Sequence, residues 1–147
     1  EIGDHFVEKG QEFGTVTKRK RRCGWFDTVL VGQSIAINGI TDVVLTKLDV
    51  LDELEEIQVC VGYETKHKKY NYLPFDENIQ NILMPIYETI PGWQESTFGL
   101  TSWDDLPKKA QNYISFLESK IEKNISIIST GPDRAHTIDR NNLLGNN

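Results

Sequence analysis

The chain has 147 residues, 38% of them hydrophobic and 26% charged, so it can form one globular domain and is not a wholly disordered polypeptide. It has no run of the roughly 18 to 20 apolar residues that a membrane helix needs and no signal-peptide pattern, so we expect a cytoplasmic chain. The net charge of −6 argues against the broad basic surface of a nucleic-acid-binding domain.

Residues 14–22 predict a polar loop, which we name the basic loop. Five consecutive Lys and Arg residues occupy positions 18–22, and without them 11 basic residues face 22 acidic ones. Guanidinium groups bind phosphate or carboxylate through two parallel N–H bonds, and Thr15 and Thr17 add hydroxyl donors, so this loop can clamp an anion. Taken alone, the basic run has three other interpretations: a solvated patch, a nuclear-import signal or an RNA contact.

One helix and several strands are predicted after the basic loop. Apolar residues at mixed helical spacing predict a helix from about Gly24 to Ala36. Val43–Thr46, Ile57–Tyr63 and Lys69–Leu73 predict strands, of which the last two can form a hairpin. Ile86–Trp93 predicts an extended segment that ends at a Pro-Gly pair.

Lys47 and Asp49 follow the first of these strands and have the chemistry to recognise guanine. Guanine presents its N1–H and its 2-amino group side by side, so one carboxylate can accept from both, whereas adenine offers no such donor pair at that edge. Lys47 could lay its aliphatic stem across the base. Taken alone, this short motif could instead simply mark the end of a strand, without any ligand.

The carboxyl-terminal part predicts a helix, a strand and a third loop. The helix begins near Asp104 and ends near Asn124, and its apolar face is formed by Ala110, Tyr113, Ile114, Leu117 and Ile121. Ile125–Ser129 predicts a short buried strand. The loop of residues 129–134 has small side chains that leave room for a planar base, although a plain tight turn fits it too. Together the elements predict an α/β fold, a mixed sheet with flanking helices, with functional loops beyond the strand ends.

Several motifs together resemble the adenylosuccinate synthetase family. In chain order they are residues 10–15, residues 21–27, Asn38-Gly39-Ile40, residues 45–52, Tyr87-Glu88-Thr89, Pro91-Gly92-Trp93 and residues 129–134. They keep the family's order over nearly the whole chain, as its carboxyl-terminal third. The resemblance implies a fragment of that P-loop-NTPase-like fold, with residues 1–138 in the enzyme domain and residues 139–147 as a polar, disordered tail. Because the first residues read as the end of an element and contain no initiator Met, we expect a piece of a longer protein.

The resemblance also implies an enzyme, a ligase that joins L-aspartate to IMP using GTP and Mg²⁺ and gives adenylosuccinate, GDP and phosphate. Its partners are these three substrates and, in the full-length enzyme, a second copy in a homodimer; no nucleic acid and no membrane are implied. By position, the loop that binds aspartate and IMP is Thr15, Val16, Thr17, Lys18, Arg19, Lys20 and Arg21. Arg19 is expected at IMP. The residues expected at GTP are Arg21, Lys47, Leu48, Asp49, Ser129, Thr130 and Gly131.

The basic loop departs from the family's usual pattern at three positions. Val16 replaces a threonine, Lys18 a glycine and Lys20 a common proline. A hydroxyl donor is therefore lost and a hinge is stiffened, which we expect to affect aspartate binding and loop closure more than guanine binding.

The catalytic and metal-binding residues of the family lie in its amino-terminal part, outside this sequence. No catalytic residue and no Mg²⁺ ligand is therefore expected in this chain, and the isolated chain is expected to be inactive. His5, His67 and His136 match no catalytic role and are predicted to be surface residues. Cys23 and Cys60 match neither a zinc spacing nor a disulfide framework, and we expect two buried, reduced thiols.

Two other functions stay open at this point. A nucleic-acid-binding module could use Lys18–Arg22, although the rest of the chain is acidic. A GTPase-like guanine-binding domain could use Asp49, although the sequence has no G-x-x-x-x-G-K-[ST] motif.

Overall fold

The computed structural model describes residues 2–145 and contains two small β-sheets flanked by helices. The elements, in chain order, are α1 (Ile2–Lys9), β1 (Phe26–Asp27), α2 (Thr28–Asn38), β2 (Val43–Leu45), β3 (Glu56–Glu64), β4 (Lys69–Tyr70), α3 (Glu77–Gln80), β5 (Met84–Pro91), α4 (Lys108–Ile121), β6 (Ile125–Ser129) and β7 (Thr137–Asp139). Short 3₁₀ helices lie at Leu48–Leu51 and Trp103–Asp105.

Both sheets combine parallel and antiparallel pairs. In the first, β6 lies between β2, which is parallel to it, and β7, which is antiparallel. In the second, β3 pairs in parallel with β1 and antiparallel with β4 and β5. The predicted α/β fold with a mixed sheet and flanking helices is therefore confirmed, with the strands divided between two sheets.

The main core is one cluster of buried apolar side chains to which α4 and both sheets contribute. The predicted apolar face of α4 is fully buried, and Ile57 and Val59 of β3 and Ile125 and Ile128 of β6 complete the same cluster. Burial of apolar side chains on one stripe of a helix is the main source of its stability in a protein. The beginning of this helix was predicted too early, because Asp104 lies in a separate 3₁₀ turn before it.

The predicted start of the helix near Gly24 is wrong. Helix α2 begins at Thr28, because the Asp27 carboxylate accepts hydrogen bonds from the backbone N–H groups of Val29 and Leu30, both at 3.0 Å. The two residues before the helix pair with β3 as β1. The helix ends at Asn38 and is capped by Gly39, whose positive φ of 62° suits glycine.

The strand predictions are largely confirmed. Strands β2, β3 and β6 match the predicted positions, and β4 forms the predicted hairpin with β3 but ends at Tyr70 instead of Leu73. Strand β5 is an edge strand, which tolerates Pro91 at its end. Helices α1 and α3 and strand β7 were not predicted from the sequence.

The predicted division at residue 138 stays a prediction. Asp139 belongs to β7, and the Arg140 guanidinium donates to the Glu118 carboxylate at 2.6 Å and lies 4.1 Å above the Trp103 ring centre. Asn146 and Asn147 lie outside the described residues.

The two cysteines differ in their surroundings. Cys60 is buried as predicted, whereas Cys23 is partly exposed, and both are free thiols. Within residues 2–145, no helix combines the length and apolar character needed to cross a membrane.

Candidate nucleotide-binding site

A cleft of about 440 Å³ lies beyond the carboxyl ends of the neighbouring parallel strands β2 and β6, and we name it the base cleft. Parallel pairing brings the loops that follow both strands to the same edge of the sheet. The residues that line the cleft are Lys9, Gly10, Gln11, Thr46, Lys47, Asp49, Val50, Ser129, Gly131 and Pro132. Residues from two predicted motifs, separated by some 80 positions in sequence, therefore meet in one place.

Asp49 carries a buried carboxylate oxygen that is not satisfied by the described part of the chain. Its Oδ1 atom has no hydrogen-bond partner there. Burial raises the pKa of the Asp49 carboxyl above its ordinary value, and the nearby negative charge of Asp52 adds to this effect. A buried acceptor without a donor is costly, so this oxygen is suited to a ligand that brings an N–H group.

Asp52, three residues further along the same turn, has its donors within the protein. Its carboxylate accepts from the Trp93 indole N–H at 2.8 Å, and from the Thr97 backbone N–H and the Thr97 hydroxyl, both at 2.7 Å. Asp52 thus fixes the segment after β5, whereas the Oδ1 atom of Asp49 accepts no hydrogen bond from residues 2–145.

Lys47 lines the base cleft, and its ammonium group is hydrogen-bonded within the protein. Its Nζ donates to the Gly10 carbonyl at 2.5 Å and forms an ion pair with the Glu12 carboxylate. The backbone at Lys47 is left-handed, with a φ of 62°, and this conformation sets the direction of its side chain. Its aliphatic stem is therefore available to contact a planar base.

Three residues predicted at GTP do not line the base cleft: Arg21, which belongs to the basic loop, and Leu48 and Thr130. The Leu48 side chain is 1% exposed and belongs to the core. Thr130 is fully buried, and its hydroxyl donates to the Leu100 carbonyl at 2.8 Å. Both residues support the loops that form the cleft, and neither directs its side chain into it.

Gly131 is required where its loop passes over His136. A Cβ atom at Gly131 would lie 2.5 Å from the His136 Nδ1 atom and 3.1 Å from the Phe98 ring. The surface prediction for His136 is wrong, since this residue is half-buried against Phe98 and its Nδ1 atom is buried. His5 is partly exposed, and the surface prediction is confirmed for His67, which is exposed.

The basic loop is exposed and connects to the base cleft through Glu12. Residues 15–22 are all exposed, and none of them lines the base cleft. The Gly14 N–H donates to the Arg19 carbonyl at 2.8 Å, which closes the loop on itself. The Arg21 guanidinium lies 3.0 Å from the Glu12 carboxylate, which also binds Lys47. The role of Glu12 could not be predicted from the sequence, because its partners lie 9 and 35 positions away.

Comparison with known proteins identified one family. The family described as adenylosuccinate synthetase matches residues 1–138. Adenylosuccinate synthetases from the Dugway 5J108-111 and RSA 331 / Henzerling II strains of Coxiella burnetii are each 51% identical over 140 residues, which is 95% of this chain and 32% of theirs.

A solved structure gives the same result. A fully ligated adenylosuccinate synthetase from Plasmodium falciparum matches with a TM-score of 0.88 and 39% identity, over 94% of this chain and 34% of that one. The chain therefore spans about a third of the length of these relatives.

Proposed function

Because this chain belongs to the adenylosuccinate synthetase family, we propose that it forms the guanine-binding part of an enzyme that ligates L-aspartate to IMP with GTP as co-substrate. The products of that reaction are adenylosuccinate, GDP and phosphate. The observation that supports this assignment most strongly is the buried Asp49 Oδ1 atom at the base cleft, which has no hydrogen-bond partner among residues 2–145.

In this proposal, the base cleft distinguishes guanine from adenine by its donors. The Asp49 carboxylate accepts from N1–H and from the 2-amino group of guanine, two donors that adenine lacks on that edge. The stem of Lys47 covers one face of the base, and the backbone of Ser129 and Gly131 borders it. An adenine ring would leave Asp49 buried and unpaired, and this cost is the basis of the selectivity.

The basic loop serves the anionic groups of the substrates. We propose that Arg19 contacts IMP, that Arg21 contacts the phosphates of GTP and that residues 15–21 close over aspartate. Val16 is 92% exposed and presents methyl groups where a threonine would offer a hydroxyl donor. Lys18 has a positive φ of 53°, a conformation that glycine adopts at lower cost. Both features favour weaker aspartate binding.

The remaining catalytic parts are proposed to lie in the portion of the family that this chain does not span. Among the described residues, no three His, Cys, Asp or Glu side chains are placed to hold a metal ion. From the family resemblance, we assign the Mg²⁺ ligands, the catalytic aspartate and histidine, and the glycine-rich phosphate loop to that portion. When bound, Mg²⁺ supplies positive charge to the phosphate groups. We further propose a cytoplasmic, homodimeric full-length enzyme.

The assignment is tested by titrating the 147-residue chain with GTP and with ATP. We expect at least about tenfold tighter binding of GTP, since hydrogen bonds to a charged group contribute about 1.5–3 kcal/mol. Asp49→Asn should reduce this preference, and Asp105→Asn, at an exposed position of another turn, should not. Equal binding of both nucleotides would overturn the proposal. Binding of polynucleotides that weakens steeply with salt would instead favour the nucleic-acid-binding alternative.

A further inference from the structure

The Glu12 carboxylate joins the basic loop to the base cleft. One of its oxygens, Oε2, accepts from the Arg21 guanidinium at 3.0 Å, and the other, Oε1, accepts from the Lys47 ammonium. Glu12 is the least exposed member of the group: its side chain is 22% exposed, against 60% for Arg21 and 46% for Lys47. The hydrogen bond from Lys47, with smaller contributions from the charges of Lys47 and Arg21, lowers the pKa of Glu12, so the carboxylate is ionised at neutral pH.

The backbone around Glu12 holds the same two segments. The Arg21 N–H donates to the Glu12 carbonyl at 2.9 Å, and Phe13 forms a bridge with Lys20 across the base of the basic loop. On the other side, the Lys47 ammonium donates to the Gly10 carbonyl. Residues 10–13 therefore contact both the loop and the lysine that lines the base cleft.

The other ion pairs near the basic loop do not make this connection. Lys20 lies 3.7 Å from Asp4 and 3.8 Å from Glu8, both on α1. Exposed pairs at such distances contribute little. Among the pairs described for the loop, the one through Glu12 is therefore the link that reaches the base cleft.

We propose that Glu12 is a positioning residue that makes Arg21 and Lys47 bind a guanine nucleotide as one unit. The inference rests on the proposed function, in which Arg21 serves the phosphates and Lys47 serves the base. Without the carboxylate, two like charges repel each other and two long side chains lose a shared anchor, so each must be ordered separately when the nucleotide binds. With the ammonium of Lys47 held at Glu12 and Gly10, its stem stays along the cleft wall.

Hydrogen exchange of the chain without nucleotide tests the physical link. Glu12→Gln keeps the shape of the side chain and removes its charge, so the hydrogen-bonded amides of Gly14 and Lys18 should exchange several-fold faster. The matched control is Glu53→Gln, which breaks the exposed ion pair with Lys9 and leaves the basic loop untouched. Unchanged exchange in Glu12→Gln would overturn the inference.

A double-mutant cycle on GTP binding tests the coupling. In the parent chain, each of Arg21→Ala and Lys47→Ala should raise the Kd for GTP. The double variant should raise it at least threefold less than the product of the two single effects, because removing either residue already loosens the other. In a Glu12→Gln background, the two effects should multiply. Multiplication in both backgrounds, with the preference for GTP over ATP intact, would overturn the role of Glu12 and leave the proposed function standing. No preference for GTP in the parent chain would overturn both.

Discussion

Asp49 and Asp52 belong to one short turn, yet their carboxylates have opposite surroundings. Asp52 accepts three hydrogen bonds from Trp93 and Thr97, whereas the Oδ1 atom of Asp49 accepts none from the described residues. Asp49 was predicted as the guanine-binding carboxylate because guanine presents two neighbouring donors on one edge. It could not distinguish the roles of the two carboxylates, because the donors for Asp52 come from positions 41 and 45 residues away.

The identity of the acceptor at Asp49 should determine which purine the base cleft prefers. An amide at this position keeps one acceptor and gains one donor, so Asp49→Asn matches xanthine, which has N1–H and an oxygen at position 2. We expect GTP affinity to fall by about tenfold or more and XTP to bind more tightly than GTP. Competition titrations with GTP, XTP and ATP measure this change. An order of affinities identical to that of the parent chain would argue against the assignment.

The raised pKa of Asp49 predicts how stability depends on pH. Its pKa in the folded chain is above the unfolded value, so ionised Asp49 is unfavourable to folding at neutral pH, and this cost disappears as the pH falls through the folded-state pKa. Asp49→Asn should therefore raise the free energy of unfolding at pH 7, and its advantage should shrink towards about pH 4. Urea unfolding at both pH values tests this. An advantage that grows on acidification would contradict the burial of this carboxylate.

At the scale of secondary structure, regular periodicity was predictable and local capping was not. The five apolar residues of α4 repeat at helical spacing and are all buried, and β3 and β6 contain the apolar runs that predicted them. The start of α2 was missed because apolar spacing continues back to Trp25. The helix nevertheless begins after Asp27, which caps it and also accepts a hydrogen bond from the Tyr63 hydroxyl.

Asp27 should therefore stabilise both the start of α2 and its packing on β3. Asp27→Ala removes the cap and the acceptor for Tyr63, and we expect a loss of about 1–3 kcal/mol in the free energy of unfolding. Tyr63→Phe removes only the second contact and should cost less. Chemical denaturation of both variants gives the comparison, and an equal or larger loss for Tyr63→Phe would show that the cap contributes nothing.

Gly92 marks a close backbone approach between β5 and the turn before β3. A Cβ atom there would lie 1.8 Å from the Leu54 carbonyl oxygen, so Gly92→Ala should destabilise the chain by more than about 3 kcal/mol. Gly24→Ala is the matched control, because a Cβ at Gly24 meets no atom within 4 Å. Thermal unfolding of the two variants should differ clearly. Similar melting temperatures would contradict this path of the backbone.

At the scale of the whole molecule, the chain contains the proposed guanine-binding cleft but spans about a third of the length of its relatives. The order of its motifs was enough to predict the family. The loops after β2 and β6 lie close together because those two strands pair in parallel. This pairing could not be predicted from the sequence.

We expect the isolated chain to bind GTP without forming adenylosuccinate. The residues assigned to phosphate transfer lie outside it in the proposed function, so IMP, aspartate and GTP should remain unchanged with the purified chain. Chromatographic analysis of the nucleotides after long incubation checks this, with a complete relative as positive control. Turnover that follows the purified chain would show that catalytic residues are present here.

A crystal structure of the chain with GTP would test the central claim most directly. We predict that the guanine ring occupies the base cleft, with its N1 and 2-amino nitrogens about 2.7–3.2 Å from the Asp49 carboxylate, so that Oδ1 gains a donor. A guanine ring bound elsewhere, or bound in the cleft with Asp49 Oδ1 still unpaired, would contradict it.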